Sequence, residues 1–248
     1  MKRIILVLFL LLSVVVLSEE KKNIFNPSNY VICIDPGHQT KGNNELEPIA
    51  PNSKQKKAKV TTGTRGVATK KYESELMLEI GLKLKDSLEK KGYKVIMTRT
   101  INDVNISNVE RALFANKNKA TLYIRLHADG SENKKTYGAS VLTSSPKNKY
   151  TEKTQKESEK FSKILLEEYV KSTGAKNRGV IYRDDLTGTN WAEVTNTLIE
   201  LGFMSNADED KKLSDEKYQE KIIDGLVNGI EKYLKSNWWK ESDLWAYI

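Results

Sequence analysis

The sequence predicts a single α/β domain with a mostly parallel, twisted sheet and helices on both faces. Short β-branched apolar segments alternate with longer segments in which apolar residues recur every third or fourth position. The chain has 248 residues, of which 38% are hydrophobic, so it can bury one sizeable core. Such alternation, without any internal repeat, is typical of a parallel sheet covered by helices on both sides.

Strands are predicted where short apolar runs end at turn residues. These runs are residues 30–34, 93–98, 121–126, 137–142 and 197–203, with 180–182 as a further short candidate. The first run ends at an Asp-Pro-Gly-His turn, residues 35–38, and the third ends at His127. Ligands of parallel sheets bind at the carboxyl ends of strands, so both ends are candidate site positions.

Helices are predicted over residues 73–91, 108–118, 152–170 and 215–235. In the first of them, apolar residues occupy every fourth position: Leu76, Ile80, Leu84 and Leu88. Ser107 and Glu110 form a capping box that opens the second helix. Between the first strand and the first helix, residues 39–72 have no apolar periodicity, and they are expected to form one long loop.

The amino terminus has the pattern of a targeting segment. Lys2 and Arg3 precede an apolar run over residues 4–17 that only Ser13 interrupts. This run is shorter than the roughly 17–25 residues of a membrane span, and it suits the core of an export signal. We therefore expect residues 1–18 to be a signal peptide and the protein to be exported, so that it works outside the cytoplasm. An uncleaved membrane anchor through residues 4–17 is the alternative.

The rest of the chain is predicted to have three parts. Residues 19–28 form a polar linker, residues 29–235 form the folded domain, and residues 236–248 form an aromatic carboxyl-terminal tail. The tail contains Trp238, Trp239, Trp245 and Tyr247, which could stack on sugars, dock on the domain or fray.

Charge and cysteine content narrow the function classes. The net charge of +8 suits an acidic polymer, either a nucleic acid or an anionic cell wall, although a lysine-rich solvated surface explains it equally well. The sequence has no helix-turn-helix pattern and no aromatic platform, so no nucleic-acid partner is expected. Cys33 is the only cysteine, which excludes an internal disulfide and a cysteine-type zinc finger.

The two histidines are the strongest candidates for a metal site. His38 and His127 each follow an apolar strand, so parallel strands would bring both imidazoles to one edge of the sheet. A catalytic zinc ion needs a third protein ligand, and a carboxylate is the remaining choice. Glu73 and Glu75, at the start of the first helix, are both candidates, and spacing does not separate them. Two ordinary histidines and a capping glutamate are the structural alternative.

A carboxylate inside an apolar strand is the second unusual feature. Glu200 lies within Leu-Ile-Glu-Leu-Gly-Phe, where burial of an unpaired charge is costly. It is therefore either a general base beside a metal or the partner of an arginine, with Arg65, Arg99 and Arg125 as candidates. Glu193 is a weaker rival in a less apolar context.

Taken together, these motifs resemble a known enzyme family. The ordered set comprises Asp-Pro-Gly-His at 35–38, Glu73 followed by leucines 76 and 78, Arg-Ala at 111–112, Leu-His-Ala-Asp at 126–129, and Glu-Leu-Gly-Phe-Met-Ser-Asn at 200–206. It resembles the zinc-dependent N-acetylmuramoyl-L-alanine amidases of bacterial cell walls, the amidase-3 family, over residues 30–234.

The resemblance implies a specific site and substrate. It implies one zinc ion (Zn2+) held by His38, Glu73 and His127, and it selects Glu73 over Glu75. It implies that Glu200 is the catalytic base in hydrolysis of the amide between N-acetylmuramic acid and L-alanine in peptidoglycan. Arg65, a basic residue in the long loop, is expected to bind carboxylates of the stem peptide.

Two departures from the family pattern affect the substrate contacts. Gln39 and Thr40 stand where the family usually has a second glycine, and the segment between His38 and Glu73 is long.

The rival functions are a zinc peptidase that cuts the stem peptide and a catalytically silent wall-binding module. No oligomeric state is predicted.

Overall fold

The computed structural model describes residues 25–245 of the chain, in which strands and helices alternate as expected. The strands are β1 (Val31–Pro36), β2 (Asn43–Pro48), β3 (Lys56–Val60), β4 (Lys94–Met97), β5 (Leu122–Asp129), β6 (Ala139–Thr143), β7 (Asn177–Tyr182) and β8 (Thr195–Phe203). The helices are α1 (Glu73–Lys90), α2 (Asn108–Lys117), α3 (Gln155–Thr173), α4 (Thr187–Asn190), α5 (Ala207–Leu213) and α6 (Glu216–Trp245).

Six of these strands form one sheet in the order β4-β1-β5-β8-β6-β7. Neighbouring strands are parallel except for β6 and β8, which are antiparallel. Helices α1, α3 and α6 cover one face, and α2 and α4 lie against the other. The predicted α/β class, with a mostly parallel sheet and helices on both faces, is therefore confirmed.

Alternation along the strands divides the sheet into an apolar face and a polar one. On β5, Ile124 and Leu126 point into the main core, whereas Arg125 and His127 line a cavity on the opposite face. On β8, Leu198 lies on that same cavity. Because side chains alternate with a period of two, every chemically active strand residue falls on the face away from the main core.

The prediction of one structureless loop over residues 39–72 is wrong, because β2 and β3 pair as an antiparallel two-stranded sheet. Most residues of these strands are at least partly exposed, and the register shifts between Asn43 and Leu46. A strand pair without a buried face has no apolar alternation, so pattern reading does not detect it.

The ends of the chain differ in how much the structure describes. Residues 1–18, the predicted export signal, lie outside the described residues, as does most of the predicted linker. Helix α6 continues to Trp245, ten residues past its predicted end, so part of the predicted tail is helical. The Trp238 ring contacts the ring of Phe25 edge-on at 6.3 Å. In the described part, no helix is long and apolar enough to cross a membrane.

Helices α3 and α6 pack closely because α6 presents glycine at their contact. A Cβ atom built on Gly229 would lie 2.9 Å from the Cα atom of Leu165 and 2.8 Å from its Cδ1 atom. Real side chains do not approach a backbone this closely, so any larger residue must push the helices apart.

We predict that Gly229→Val lowers the free energy of unfolding by about 1–3 kcal/mol, the usual cost of overpacking a core. Urea denaturation would measure the change. Asn228→Val is the matched control, because Asn228 is exposed one position earlier in the same helix. Equal stability of the two variants would contradict this account of the contact.

Candidate functional site

Three ligating side chains from distant parts of the chain converge at the carboxyl edge of the sheet. His38 follows β1, Glu73 opens α1, and His127 lies near the end of β5, the parallel neighbour of β1. Glu73 Oε1 is 3.1 Å from His38 Nε2 and 3.1 Å from His127 Nδ1. One ligand atom from each residue lies within 4.8 Å of the other two. The expected meeting of the two histidines at one edge is confirmed.

The donor set and its spacing fit a zinc ion. Two imidazoles and one carboxylate are a known set of protein ligands at catalytic zinc sites. Ligands at roughly 2.0–2.1 Å from a tetrahedral zinc lie about 3.3 Å apart, close to the two 3.1 Å separations here. Three ligands also leave the fourth position open for water or substrate.

The proton positions on His38 support the same conclusion. Its Nδ1 atom lies 2.8 Å from the Thr61 carbonyl oxygen, which only accepts hydrogen bonds, so Nδ1 carries the proton. In the neutral ring, Nε2 then has a lone pair that faces the Glu73 carboxylate. Two acceptors at 3.1 Å repel each other unless a proton or a metal cation binds both.

The structure separates Glu73 from its neighbour Glu75. Glu73 is buried, and its Oε1 and Oε2 atoms accept hydrogen bonds from the backbone amides of Ala128 and Thr64 at 3.1 and 2.8 Å. Glu75 instead accepts from the Tyr72 amide at 3.0 Å and caps the helix. Only Glu73 is held toward the histidines.

Burial and close contact shift the pKa values within this cluster. Burial raises the pKa of Glu73, but the adjacent imidazoles of His127 and His38 outweigh it, so the pKa lies well below its usual range. Burial lowers the pKa of His127 to about 4. His127 is therefore a neutral imidazole at pH 7, the form that binds metals.

A buried ion network holds the turn that carries His38. Asp35, at the end of β1, accepts from Arg111 Nη1 at 2.7 Å and from Arg125 Nε at 3.0 Å. All three residues are buried. Burial raises the pKa of Asp35, but the two guanidinium groups and the Thr98 hydroxyl bring it well below its usual range. Asp35 is therefore a permanent anion beneath the turn.

Two of the buried arginines also bind the carbonyl groups of the turn. Arg99 donates to Pro36 O and Gly37 O, each at 2.9 Å, and Arg111 donates to Pro36 O and His38 O at the same distance. His38 itself has φ of 60°, a left-handed conformation that is uncommon for residues other than glycine. These donors keep the strained turn in place.

Gly37 allows the turn to approach the second histidine. A Cβ atom on Gly37 would lie 2.5 Å from His127 Cε1, and its amide donates to Leu126 O at 2.9 Å. No side chain fits in this space, so the glycine of the turn is required by its close contact with His127.

Glu200 lies beside the cluster on the adjacent strand. It is paired in register with His127, and its Oε2 atom is buried without a hydrogen-bond partner among the described residues. Burial raises the pKa of Glu200 well above its usual range, and the negative charges of Glu73 and Asp129 raise it further. An unpaired carboxyl group of this kind is a candidate general base.

Glu200 forms no ion pair with an arginine among the described residues, so its alternative role is not observed. Arg125 binds Asp35, Arg99 binds the turn carbonyls, and Arg65 donates to Lys70 O at 2.7 Å. Glu193, the weaker rival, is exposed outside the strand.

Arg65 lies in the segment before α1, next to Thr64, whose amide binds Glu73. It is exposed, and its guanidinium group lies 4.8 Å from the centre of the Tyr72 ring, one residue before Glu73. The predicted contact with substrate carboxylates stays a prediction.

A cavity of about 410 Å³ opens next to the two histidines. Its walls combine apolar side chains, such as Val60 and Leu198, with polar ones, such as Asn108 and Thr187. Lys57 of β3 and Asp185, which precedes α4, form an ion pair at its edge. The two-stranded sheet that pattern reading missed therefore forms one wall of the cavity.

Sequence reasoning did not assign the positioning residues Asp35 and Arg111. The sequence did contain a signal for Asp35, because Asp35 ends the apolar run of β1 and Arg125 interrupts the apolar run of β5. Buried charges occur in pairs, and Asp35 and Arg125 are such a pair.

We predict that Asp35→Asn lowers the free energy of unfolding by about 3–5 kcal/mol, because two buried guanidinium groups lose their counterion. Chemical denaturation would measure it, with Asp86→Asn on the exposed side of α1 as the control. The depressed pKa of Asp35 stabilises the wild type above about pH 4, and this contribution is lost as the pH falls further. A variant as stable as wild type at pH 7 would contradict the role of the network.

Comparison with known proteins identifies the family of the chain. A family model described as N-acetylmuramoyl-L-alanine amidase matches residues 32–232. The chain is 26% identical over 164 residues to the uncharacterized protein YqiI of Bacillus subtilis. This alignment covers 65% of this chain and 74% of YqiI. It is 25% identical over 201 residues to N-acetylmuramoyl-L-alanine amidase AmiC of Escherichia coli. This alignment covers 66% of this chain and 48% of AmiC. The chain thus spans about half the length of AmiC.

A solved structure gives the same result. The N-acetylmuramyl-L-alanine amidase Ami1 of Mycobacterium smegmatis is similar with a TM-score of 0.76 and 25% identity, over 86% of this chain and 100% of that chain. Because the family model matches most of the sequence, the resemblance drawn from its motifs is confirmed. The chain belongs to the N-acetylmuramoyl-L-alanine amidase family, whose members are hydrolases.

Proposed function

We propose that this protein is a zinc-dependent amidase that hydrolyses the bond between N-acetylmuramic acid and L-alanine in bacterial peptidoglycan. The observation that carries the proposal is the cluster of His38, Glu73 and His127 within 4.8 Å, beside the buried Oε2 atom of Glu200, which has no hydrogen-bond partner among the described residues. Membership of the amidase family supports the substrate class.

His38 Nε2, Glu73 Oε1 and His127 Nδ1 would hold one zinc ion. When bound, zinc supplies Lewis acidity, which polarises the amide carbonyl and lowers the pKa of water. Thr61 fixes the proton of His38 on Nδ1, and the amides of Ala128 and Thr64 hold the Glu73 carboxylate. These contacts keep the ligand atoms of His38 and Glu73 in place without a metal.

Glu200 acts as the general base and then as the general acid. Its carboxylate accepts a proton from the water that attacks the lactyl carbonyl carbon, and it returns that proton to the alanine nitrogen as the carbon–nitrogen bond breaks. The products are a free lactyl carboxylate on muramic acid and a peptide with a free amino terminus. Burial raises the pKa of Glu200 well above its usual range, so Glu200 retains a proton for the leaving nitrogen more readily than an exposed carboxyl group, which stays ionised.

The surroundings of the site suit a charged peptide. The cavity beside the histidines has room for the residues next to the scissile bond. Arg65, which is exposed in the segment before α1, would bind a stem-peptide carboxylate. The segment 1–18 would export the enzyme to the wall, where this substrate is found.

The test is digestion of purified peptidoglycan by the full exported chain, with and without a chelator. We expect mass spectrometry to detect free lactyl groups on muramic acid, loss of release on chelation, and recovery with added zinc. Cleavage within the stem peptide would instead identify the rival zinc peptidase, and the absence of any release would favour a wall-binding module.

We predict that Glu200→Gln binds zinc as wild type does but loses at least about 10²-fold in turnover, because the variant has no basic oxygen. Zinc content is measured by atomic emission and turnover by lactyl release. Glu193→Gln, an exposed glutamate, is the control and should be fully active. Wild-type turnover in Glu200→Gln would remove Glu200 from the mechanism.

We further predict that His38→Ala and His127→Ala each lose both zinc and activity, because two ligands rarely retain zinc. Glu75→Gln keeps both, since Glu75 only caps α1. Retention of stoichiometric zinc in either histidine variant would contradict the assigned ligands.

A further inference from the structure

The wall of the cavity beside the two histidines contains a lysine that is not part of the buried ion network. Besides the histidines, three charged residues line this cavity: Lys57, Arg125 and Asp185. Arg125 is buried and bound to Asp35. Lys57 is partly exposed and pairs with Asp185. Lys57 is therefore the cation of the cavity wall that a ligand could reach.

Asp185 has a second cation and does not depend on Lys57. Arg183 donates from Nε to Asp185 Oδ1 at 2.7 Å and from Nη2 to Asp185 Oδ2 at 2.9 Å, so it binds both carboxylate oxygens. Lys57 shares the Oδ2 atom. The side chains of Lys57 and Asp185 are 39% and 33% exposed, and exposed ion pairs contribute little to stability. Lys57 can therefore exchange this carboxylate for another at little cost.

Strand β3 sets the distance between Lys57 and the metal-ligand cluster. His38 Nδ1 donates to the carbonyl oxygen of Thr61, directly after β3, at 2.8 Å, and Asn108 Nδ2 donates to Lys59 O at 2.7 Å. Lys57 lies four residues before Thr61, a span of roughly 13 Å in an extended strand. Three or four residues of extended peptide cover about the same length. The flexible lysine side chain would therefore reach the second or third residue of a peptide bound along β3 from the histidines.

We propose that Lys57 is a substrate-binding residue that selects stem peptides with a free carboxylate on their second or third residue. The inference rests on the amidase function proposed above and names the feature of the substrate that the enzyme prefers. In the free enzyme, Asp185 occupies the place of the substrate carboxylate on Lys57. When substrate binds, Lys57 exchanges Asp185 for the substrate carboxylate, and Arg183 keeps Asp185 paired.

The test measures lactyl release by the zinc-loaded enzyme from three soluble disaccharide-peptide fragments of peptidoglycan. One fragment has free carboxylates on the second and third peptide residues, and in each of the others one of these carboxylates is replaced by an amide. On the fragment that lacks the recognised carboxylate, we expect the wild type to lose about tenfold in kcat/KM, mainly through KM, because a hydrogen bond between charged groups is lost. Lys57→Gln should hydrolyse all three fragments equally, and Lys57→Arg should recover part of the preference.

Lys56→Gln is the matched control. Lys56 is exposed, it precedes Lys57 on β3, and it is not among the described residues that line the cavity. This variant should keep the wild-type kcat/KM and the wild-type preference. Asp185→Asn removes the competing carboxylate, so it should keep the preference with an unchanged or lower KM. Zinc content and thermal unfolding of every variant separate a change in substrate binding from damage to the fold.

Three results would overturn the inference. A wild type that hydrolyses all three fragments equally well, or a preference that Lys57→Gln retains, would exclude recognition by Lys57 and leave the proposed function intact. Equal losses of kcat/KM in Lys57→Gln and Asp185→Asn on every fragment would show that their ion pair only holds β3 in place. A zinc-loaded wild type that releases no lactyl groups from any fragment would overturn the proposed function itself, and this inference with it.

Discussion

The site depends on one buried anion, Asp35. Its carboxylate neutralises Arg111 and Arg125 inside the protein, where isolated charges would be prohibitively costly. Arg111 then has donors left for the carbonyl groups of the turn, including that of His38. The metal ligand is thereby held in a left-handed conformation that a free chain would rarely adopt. The ion network therefore positions the turn. Its contribution to net stability is small, because the cost of burying the charges offsets most of their attraction.

The two faces of the sheet have different roles. The face covered by α1, α3 and α6 is apolar and supplies the core that stabilises the fold. The other face carries Asp35, Arg125, His127 and Glu200 on neighbouring strands. Each of these residues is rigidly placed by the hydrogen bonds of a central strand, which loops do not provide. A hydrolase benefits from such rigidity because misplacement of a base or ligand by about 1 Å is costly to the rate.

The departure at Gln39 has a structural explanation. Gln39 is buried, and its Oε1 atom accepts from the Ile106 amide at 3.0 Å and from Arg111 Nη2 at 3.2 Å. Its Nε2 atom donates to Lys41 O at 3.1 Å. The glutamine therefore joins the segment after His38 to the segment before α2. A glycine could not form these bonds, so the longer, β-paired segment that follows has its own anchor in the network.

Much of the fold could be predicted from the sequence, because local patterns determine where its helices and central strands form. Apolar periodicity located α1 and the central strands, and the capping box at Ser107 and Glu110 formed as predicted. Adjacent parallel strands brought His38 and His127 to one edge. Local signals did not detect the β2–β3 pair, whose exposed strands have no apolar alternation, or the continuation of α6 to Trp245.

What the sequence by itself determined was the class of fold, the family and the candidate residues, since these follow from periodicity and from motifs in order. Only the tertiary structure matched Arg125 with Asp35 and not with Glu200, and showed which contacts hold Glu73 toward the two histidines. Those choices depend on strand register and on distances between residues far apart in the chain. No local pattern contains that information, because it arises only when the core closes and the buried charges must find partners.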